Sequence, residues 1–319
     1  MVSSDEEFAE AWARSGNSPT RTAELLGIGV RAVYRRRATL AEKGLVLGTI
    51  AQRNGADAHS EWRVEGWAYQ RQNDYTLRDG VMIVFSDAHF WPGQRKTVAH
   101  LALLELVKAL RPKTVVANGD IFDGARVSRH GVMGWEKLPS VKEEMDICDD
   151  YLHEIRLASN PKTCDFFWNL GNHDQRFDRM LASNAAEYEG VVSRLEDRFS
   201  DWNMAWSLHI NNHTVIKHRW HNGIHAGYNN ALKGGRSIVT GHLHRLLVTP
   251  WADYNGRRWG VDTGTLSDPH LPQFEYAENN ASPHTPGFAV LTFRDGMLLP
   301  PELCEVIGSH AYFRGEQVV

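Results

Sequence analysis

The chain has 319 residues, 42% of them hydrophobic, a length for about two domains with enough apolar content for packed cores. A formal charge of -4 leaves no global polyanion-binding signature, and no run approaches the ~18 apolar residues of a membrane span. The acidic start, Met1-Val2-Ser3-Ser4-Asp5-Glu6-Glu7, lacks the form of a signal peptide, and three scattered cysteines (Cys148, Cys164, Cys304) argue against a disulfide framework, so a cytoplasmic protein is expected.

Residues 5–15 are predicted as a first helix, with Phe8, Ala11 and Trp12 at helical spacing. Ser18-Pro19 supplies an N-cap and a first-turn proline for a second helix, Thr20 to Leu26, which stops at Gly27-Ile28-Gly29. A third helix is predicted from Val30 to Glu42, ending at Gly44. Two short helices joined by a glycine-containing turn make a helix-turn-helix, so residues 1–45 are expected to form a small all-α DNA-binding domain. From Arg21 to Lys43 there are six basic residues against two acidic, a local charge of +4 in a net-negative chain. Arg31, Arg35, Arg36 and Arg37 on the third helix are the candidate phosphate-backbone contacts. A protein-docking module with solvated arginines would give the same pattern.

Residues 46–78 are polar, with Asn54-Gly55 as a turn signal, and are expected to be a linker with one hairpin. From residue 79 to 319 a second domain is expected. In it, short apolar runs end repeatedly in metal-type residues. Val81–Phe85 runs into Asp87 and His89, Thr114–Ala117 into Asp120 and Asp123, and Phe166–Leu170 into Asn172, His173 and Asp174. Thr214–Lys217 runs into His218, and Ser237–Thr240 into His242 and His244. Each run has the form of a buried strand, and five of them would deliver carboxylate, imidazole and amide groups to one edge of a sheet. That donor set suits Mn²⁺, Fe²⁺ or Zn²⁺. Val98–Leu110 is predicted as an amphipathic helix stopped by Pro112, which completes a βαβ unit. Residues 138–157 and 183–199 are predicted as further helices, and Asn255-Gly256 as a hairpin turn in a β-rich end.

The ordered series D-x-H, G-D-x-x-D, G-N-H-D, H and G-H-x-H, over roughly residues 79–300, resembles the calcineurin-like metallophosphoesterase superfamily. The resemblance implies an α/β fold, a two-sheet β-sandwich flanked by helices. It implies two divalent ions as cofactors, Mn²⁺ before Fe²⁺ or Zn²⁺. Asp87, His89, Asp120 and His244 would hold one, and Asp120, Asn172, His218 and His242 the other, with Asp120 bridging. His173 would act as the catalytic imidazole, with Asp174 beside it as the orienting carboxylate. The nucleophile would be a hydroxide shared by the two ions. The x of D-x-H and H-x-H is expected because alternate residues share one side of a strand or its extension.

Here the sequence departs from the usual His-Gly, reading His218-Arg219-Trp220-His221-Asn222-Gly223. His218 is chosen over His221 because it ends the apolar run; His221 and His225 stay open as substrate contacts. Arg126, Arg129 and His130 are candidate phosphate contacts or a solvated loop, and Asp123 is expected to brace its loop. The leading function is a two-metal phosphodiesterase, a DNA nuclease by virtue of the basic front helices. Alternatives are a phosphomonoesterase or protein phosphatase with a docking front domain, and a DNA-binding regulator with a scaffold phosphoesterase domain.

Overall fold

The computed structural model describes residues 4–15, 19–43, 45, 47, 69–129, 137–270, 274 and 283–319, with the side chain of Arg31 outside the description. The Ser18 cap, the Asn54-Gly55 turn and His130 also lie outside the described residues. The chain divides into two units, Met1–Trp62 and Arg63–Val319.

The first unit holds α1 (Asp5–Arg14), α2 (Pro19–Leu26) and α3 (Val30–Glu42). Ser4 and Glu7 cap α1 reciprocally, and Phe8, Trp12, Ala23, Val33 and Leu40 form one small core. The connection from α2 to α3 is the expected glycine turn, with Gly27 in left-handed backbone. Two of the four arginines proposed for DNA are turned inward instead. Arg36 pairs with Asp5 at 3.2 Å and lies over the Phe8 ring, and Arg37 lies over Trp12 at 4.3 Å. Aromatic faces and a first-turn carboxylate on α1 attract these guanidiniums more closely than open solvent does. Arg35 is exposed.

The second unit is a sandwich of two sheets. The larger contains β2 (Gly80–Phe85), β3 (Thr114–Ala117), β4 (Asp165–Asn169), β5 (Asn203–Ala205), β11 (Gly287–Arg294), β12 (Met297–Leu298), β13 (Glu302–Ile307), β14 (His310–Phe313) and β15 (Glu316–Gln317). Its path runs β15-β14-β13-β11-β2-β3-β4-β5, with β12 paired to β11. The smaller runs β1 (Asn73–Tyr75), β6 (Ser207–Ile210), β7 (Thr214–Lys217), β8 (Ser237–Thr240), β10 (Gly256–Thr263) and β9 (Leu246–Asp253). The alternation of a strand explains the layers. Met82 and Val84 point into the inter-sheet core with Val116, Phe167, Ile216 and Val239. Ile83 and Phe85 point the other way, onto α4 (Val98–Leu110) and α5 (Val141–Ala158) through Leu103, Val107 and Leu152. Both faces of β2, β3 and β4 are therefore covered, which is why these strands are apolar throughout. On the outside of the smaller sheet, α8 (Ala226–Gly234) packs against β8, β9 and β10.

Three expectations change. The five motif-bearing strands belong to two sheets, so the site forms across the sandwich rather than along one sheet edge. Residues 69–78, expected as linker, belong to the sandwich: β1 pairs in parallel with β6, and Tyr69, Tyr75 and Leu77 are buried. Between 183 and 199 the only α-helical residues are the last turn of α6 (Arg176–Asn184) and the short α7 (Leu195–Arg198).

Candidate metal centre

The candidate ligands stand in loops just beyond their strands, and backbone conformation rather than strand alternation aims them. Asp87 (φ 51°), His89 (φ 42°), Asp120 (φ 53°), His242 (φ 72°) and His244 (φ 56°) are all left-handed. Non-glycine residues seldom adopt this region, and its concentration here is the signature of strain held at a functional site. Each x therefore separates two left-handed residues. The loops are tied to one another through the main chain: Asp87 N–H donates to Gly119 O at 2.9 Å, His89 N–H to Asp120 O at 3.0 Å, and Gly241 N–H to His218 O at 2.8 Å. The motif glycines allow the approach. A Cβ on Gly119 would run into the His218 ring, and one on Gly171 into the Asp120 carboxylate.

Two groups of ligand atoms result, Asp87 with His89 and His244, and Asp120 with His218 and His242, beside a third cluster that joins His89 to Asp123 and His173. Asp87 Oδ1 lies 3.1 Å from His244 Nε2, and Asp120 Oδ2 lies 3.1 Å from His218 Nε2. His218 Nδ1 is 2.8 Å from Asn118 O, so that nitrogen carries a hydrogen and donates it. Its Nε2 faces a carboxylate oxygen, so either a proton or a metal cation must stand between the two. Asn172 Oδ1 is buried and has no hydrogen-bond partner among the described residues, although buried amide oxygens are nearly always satisfied. His221 belongs to neither group; it stacks on Trp220.

The electrostatics suit this donor set. Burial would raise the carboxyls of Asp87 and Asp120, but neighbouring imidazoles, His244 and His218 for Asp87, His218 and His173 for Asp120, hold both below the usual range. Burial lowers His89, and burial with the nearby His218 lowers His242 to about 4, which keeps both imidazoles neutral as metal ligands must be. In the ion-free site, burial works against protonation of His218, but Asp120 and Asp87 prevail and raise it to about 10. A divalent cation would take the place of that proton.

His173 is not oriented by Asp174. Its Nδ1 lies 2.9 Å from Asp123 O and 3.1 Å from Asp123 Oδ1, and the same carboxylate oxygen lies 2.8 Å from His89 Nδ1. Asp123 thus does more than brace its loop: it fixes one candidate ligand and the candidate catalytic imidazole together. Burial would raise its carboxyl, but the hydrogen bonds from His173 and His89 hold it well down. Arg176 Nη2 is 3.0 Å from His173 Nε2, and a guanidinium only donates, so Nε2 accepts. Burial would lower the His173 pKa, and the Asp120 and Asp123 carboxylates raise it instead.

Asp174 has another task. Its buried carboxylate accepts from the backbone N–H groups of Asp120 (2.9 Å), Ile121 (2.9 Å), Phe122 (3.1 Å) and Gly171 (2.7 Å), and from Trp168 Nε1 (3.0 Å). Burial, with Asp120 nearby, pushes it up to about 6, against the pull of these donors. It clamps the Asp120 loop to the Asn172 loop. Sequence adjacency to His173 suggested the wrong partner, because the chain turns between them.

Sequence reasoning also missed Arg176, which belongs to no motif, and His284, whose ring lies 4.3 Å from that of His244. Arg126 and Arg129 are exposed beside Asn172.

Sheets, loop order and paired ligand groups together define a metallophosphoesterase. The profile of the calcineurin-like phosphoesterase family matches residues 81–256, more than half of the chain, and the chain belongs to that family. Among curated proteins it is similar to the Gene 54 protein of Mycobacterium phage L5, 33% identical over 85 residues, a match spanning 25% of this chain and 32% of that protein. It is also similar to the Gene 54 protein of Mycobacterium phage D29, 23% identical over 259 residues, covering 71% of this chain and 94% of the relative. Among solved structures it is similar to Vps29 from Entamoeba histolytica complexed with zinc, at 14% identity and a TM-score of 0.38, covering 75% of this chain and 99% of that one. A structure described as a novel archaeal phosphodiesterase matches at 14% identity and a TM-score of 0.35, covering 71% and 99%.

Proposed function

We propose that the protein is a two-metal-dependent phosphodiesterase that cleaves DNA, with Mn²⁺ as its preferred ion. The observation that carries this reading is the pair of ligand groups, together with the partnerless Oδ1 of Asn172, whose chain neighbour His173 donates its N–H to Asp120 Oδ1 at 2.8 Å. Asp87, His89 and His244 would hold one ion; Asn172, His218 and His242 the other, with Asp120 shared. Bound there, the ions supply Lewis-acid stabilisation of phosphoryl charge and lower the pKa of water.

The chain's own residues do the rest. Asp123 holds His173 by Nδ1, which leaves Nε2 facing Arg176, 3.9 Å from Asp120 Oδ2. For Nε2 to give a proton to the leaving oxygen, Arg176 must first release it and Nε2 must take up a proton from water, an uptake that the Asp120 and Asp123 carboxylates favour. A substrate phosphate is a stronger partner for a guanidinium than an imidazole is, so substrate binding itself would draw Arg176 away. The DNA preference is supported by the exposed Arg35 on α3 and by Arg126 and Arg129 at the site.

The test is turnover of bis-p-nitrophenyl phosphate, p-nitrophenyl phosphate and single- and double-stranded DNA by the full chain, with Mn²⁺ or a chelator. Mn²⁺-dependent cleavage of the diester and of DNA is expected. Turnover confined to the monoester would make the protein a phosphatase. Metal binding without any turnover would leave a DNA-binding regulator on a phosphoesterase scaffold.

A further inference from the structure

We infer that the leaving fragment of the substrate is itself a phosphodiester chain, one or two nucleotides of single strand, seated in an arginine-lined cavity beside Asn172. The inference rests on the phosphodiesterase reading above and names the substrate portion that the site grips.

The cavity has a volume of about 510 Å³ and lies between the turn at Ala125–Val127, α6, and the loop after β7. Arg126, Arg129, Arg176, Arg179 and Arg219 line it together with Asn172, and no carboxylate does so among the described residues. Arg129 and Arg219 make no hydrogen bond or ion pair among the described residues. Arg176 comes within 4.0 Å of the Asp123 carboxylate, but Arg126, Arg129, Arg179 and Arg219 have no ion pair among the described residues, and like charges so gathered repel one another, an unfavourable term that an anion would offset. Guanidinium forks match phosphate oxygens in pairs, which a spread of lysines would not. The volume falls in the range that encloses a small ligand, room for roughly a nucleotide or two and too little for a double helix.

Position decides which part of the substrate enters. Asn172 lines the cavity, its neighbour His173 donates its N–H to Asp120 Oδ1 at 2.8 Å, and Arg176 reaches from the cavity to His173 Nε2. A proton delivered from Nε2 goes to the leaving oxygen, so the fragment that departs lies on the cavity side. A phosphate arriving there would engage Arg176 and open Nε2 to take from water the proton that it passes to the leaving oxygen.

The probe is a fluorescently labelled thymidine trinucleotide, too short for a groove-reading module, bound to metal-free full-length protein across a salt series. Arg129→Ala with Arg219→Ala should weaken binding at least about tenfold and flatten the log–log salt slope by about 1.4, from ~0.7 per lost contact on a single strand. Both side chains are exposed, so the variant should keep its fold, checked by its melting temperature. Arg314→Ala, on β14–β15, controls for net charge and should leave affinity and slope unchanged. Unchanged binding in the double variant overturns the cavity assignment. With Mn²⁺, the ratio of kcat/KM for the trinucleotide to that for bis-p-nitrophenyl phosphate should fall at least about tenfold in the double variant. An equal loss on both substrates overturns the placement of the leaving fragment. If the wild type cleaves neither diester, the phosphodiesterase reading fails, and with it the leaving-fragment assignment, while the metal-free binding still decides whether the cavity takes a strand.

Discussion

Replacing Asp174 by Asn separates a catalytic role from a structural one. Oδ1 accepts from Ile121 and Phe122, while Oδ2 accepts from Asp120, Gly171 and Trp168 Nε1. Whichever oxygen becomes the amide nitrogen, at least two buried donors face a donor in place of an acceptor. Hydrogen bonds to a charged group are worth about 1.5–3 kcal/mol each, so the substitution should cost about 3–6 kcal/mol. Against a total stability of about 5–15 kcal/mol that is severe. At about 2–4 °C per kcal/mol for a unit of this size, the melting temperature should fall by about 6–24 °C. The assay is thermal denaturation in chelator, so that metal loss does not contribute, with Asp123→Asn alongside. Asp123→Asn should lose turnover, because it grips His173 and His89, with the smaller change in melting temperature. A melting temperature for Asp174→Asn within about 2 °C of wild type, together with a hundredfold loss of kcat, would refute the clamp and return Asp174 to the role of orienter.

Asp120→Asn should abolish turnover and reduce bound metal, read by elemental analysis; full activity at unchanged stoichiometry would remove Asp120 from the centre. His173→Ala should lose about 10²–10⁴-fold in kcat while keeping metal, with a smaller loss on a p-nitrophenolate leaving group that needs no proton. Glu144 is buried against Gly124 N–H, and burial, with Asp123 nearby, raises its carboxyl from 4.5 to about 7. The folded state then keeps a proton that the unfolded chain releases, so this group's contribution is fully present below pH ~4.5 and lost as pH rises through ~7, about 3 kcal/mol in all. Glu144→Gln should therefore gain melting temperature over wild type progressively from pH 5 to pH 8, and a constant difference would contradict the shift. In the first unit, Arg35→Ala should flatten the salt dependence of duplex DNA binding by about 0.9 in log–log slope, while Arg37→Ala should instead lower helix stability by loosening Trp12.

The strands and their ligands were legible because β2, β3 and β4 are covered on both faces. Continuous apolar runs such as Val81–Phe85 stop where the main chain leaves the sheet, and the motif residues begin there. What stayed hidden depended on long-range partners. Asn73-Asp74-Tyr75 is polar and short, and only pairing with β6 makes it a strand. A charge count along α3 could not show that Phe8 and Trp12, over twenty residues earlier, occupy Arg36 and Arg37. Asp123 and Asp174 both follow motif glycines, and their roles are set by which loop each faces. Arg176, Arg179 and Arg219 carry no motif, and they come together with Arg126 and Arg129 only in the folded cavity.

The five left-handed residues give the site its physical logic. Such backbone costs on the order of 1 kcal/mol or more per non-glycine residue, so Asp87, His89, Asp120, His242 and His244 together oppose folding by an amount comparable with a domain's net stability. A loop with that much strain relaxes unless its surroundings over-determine it. Here they do: loop-to-loop main-chain bonds join Asp87 to Gly119 and His89 to Asp120, the His242 N–H donates to Asp87 Oδ2 at 2.9 Å, and Asp174 gathers five donors from three loops and strands. The same contacts bring the Asp87 and Asp120 carboxylates within each other's influence, and neighbouring imidazoles are what hold both ionised against burial. Strain and convergent negative charge meet at one end of the sandwich; the clamp bears the first, and a divalent cation held there would relieve the second. Local conformational preference fails at these five positions because the chemistry needs the side chains where an extended strand could not put them.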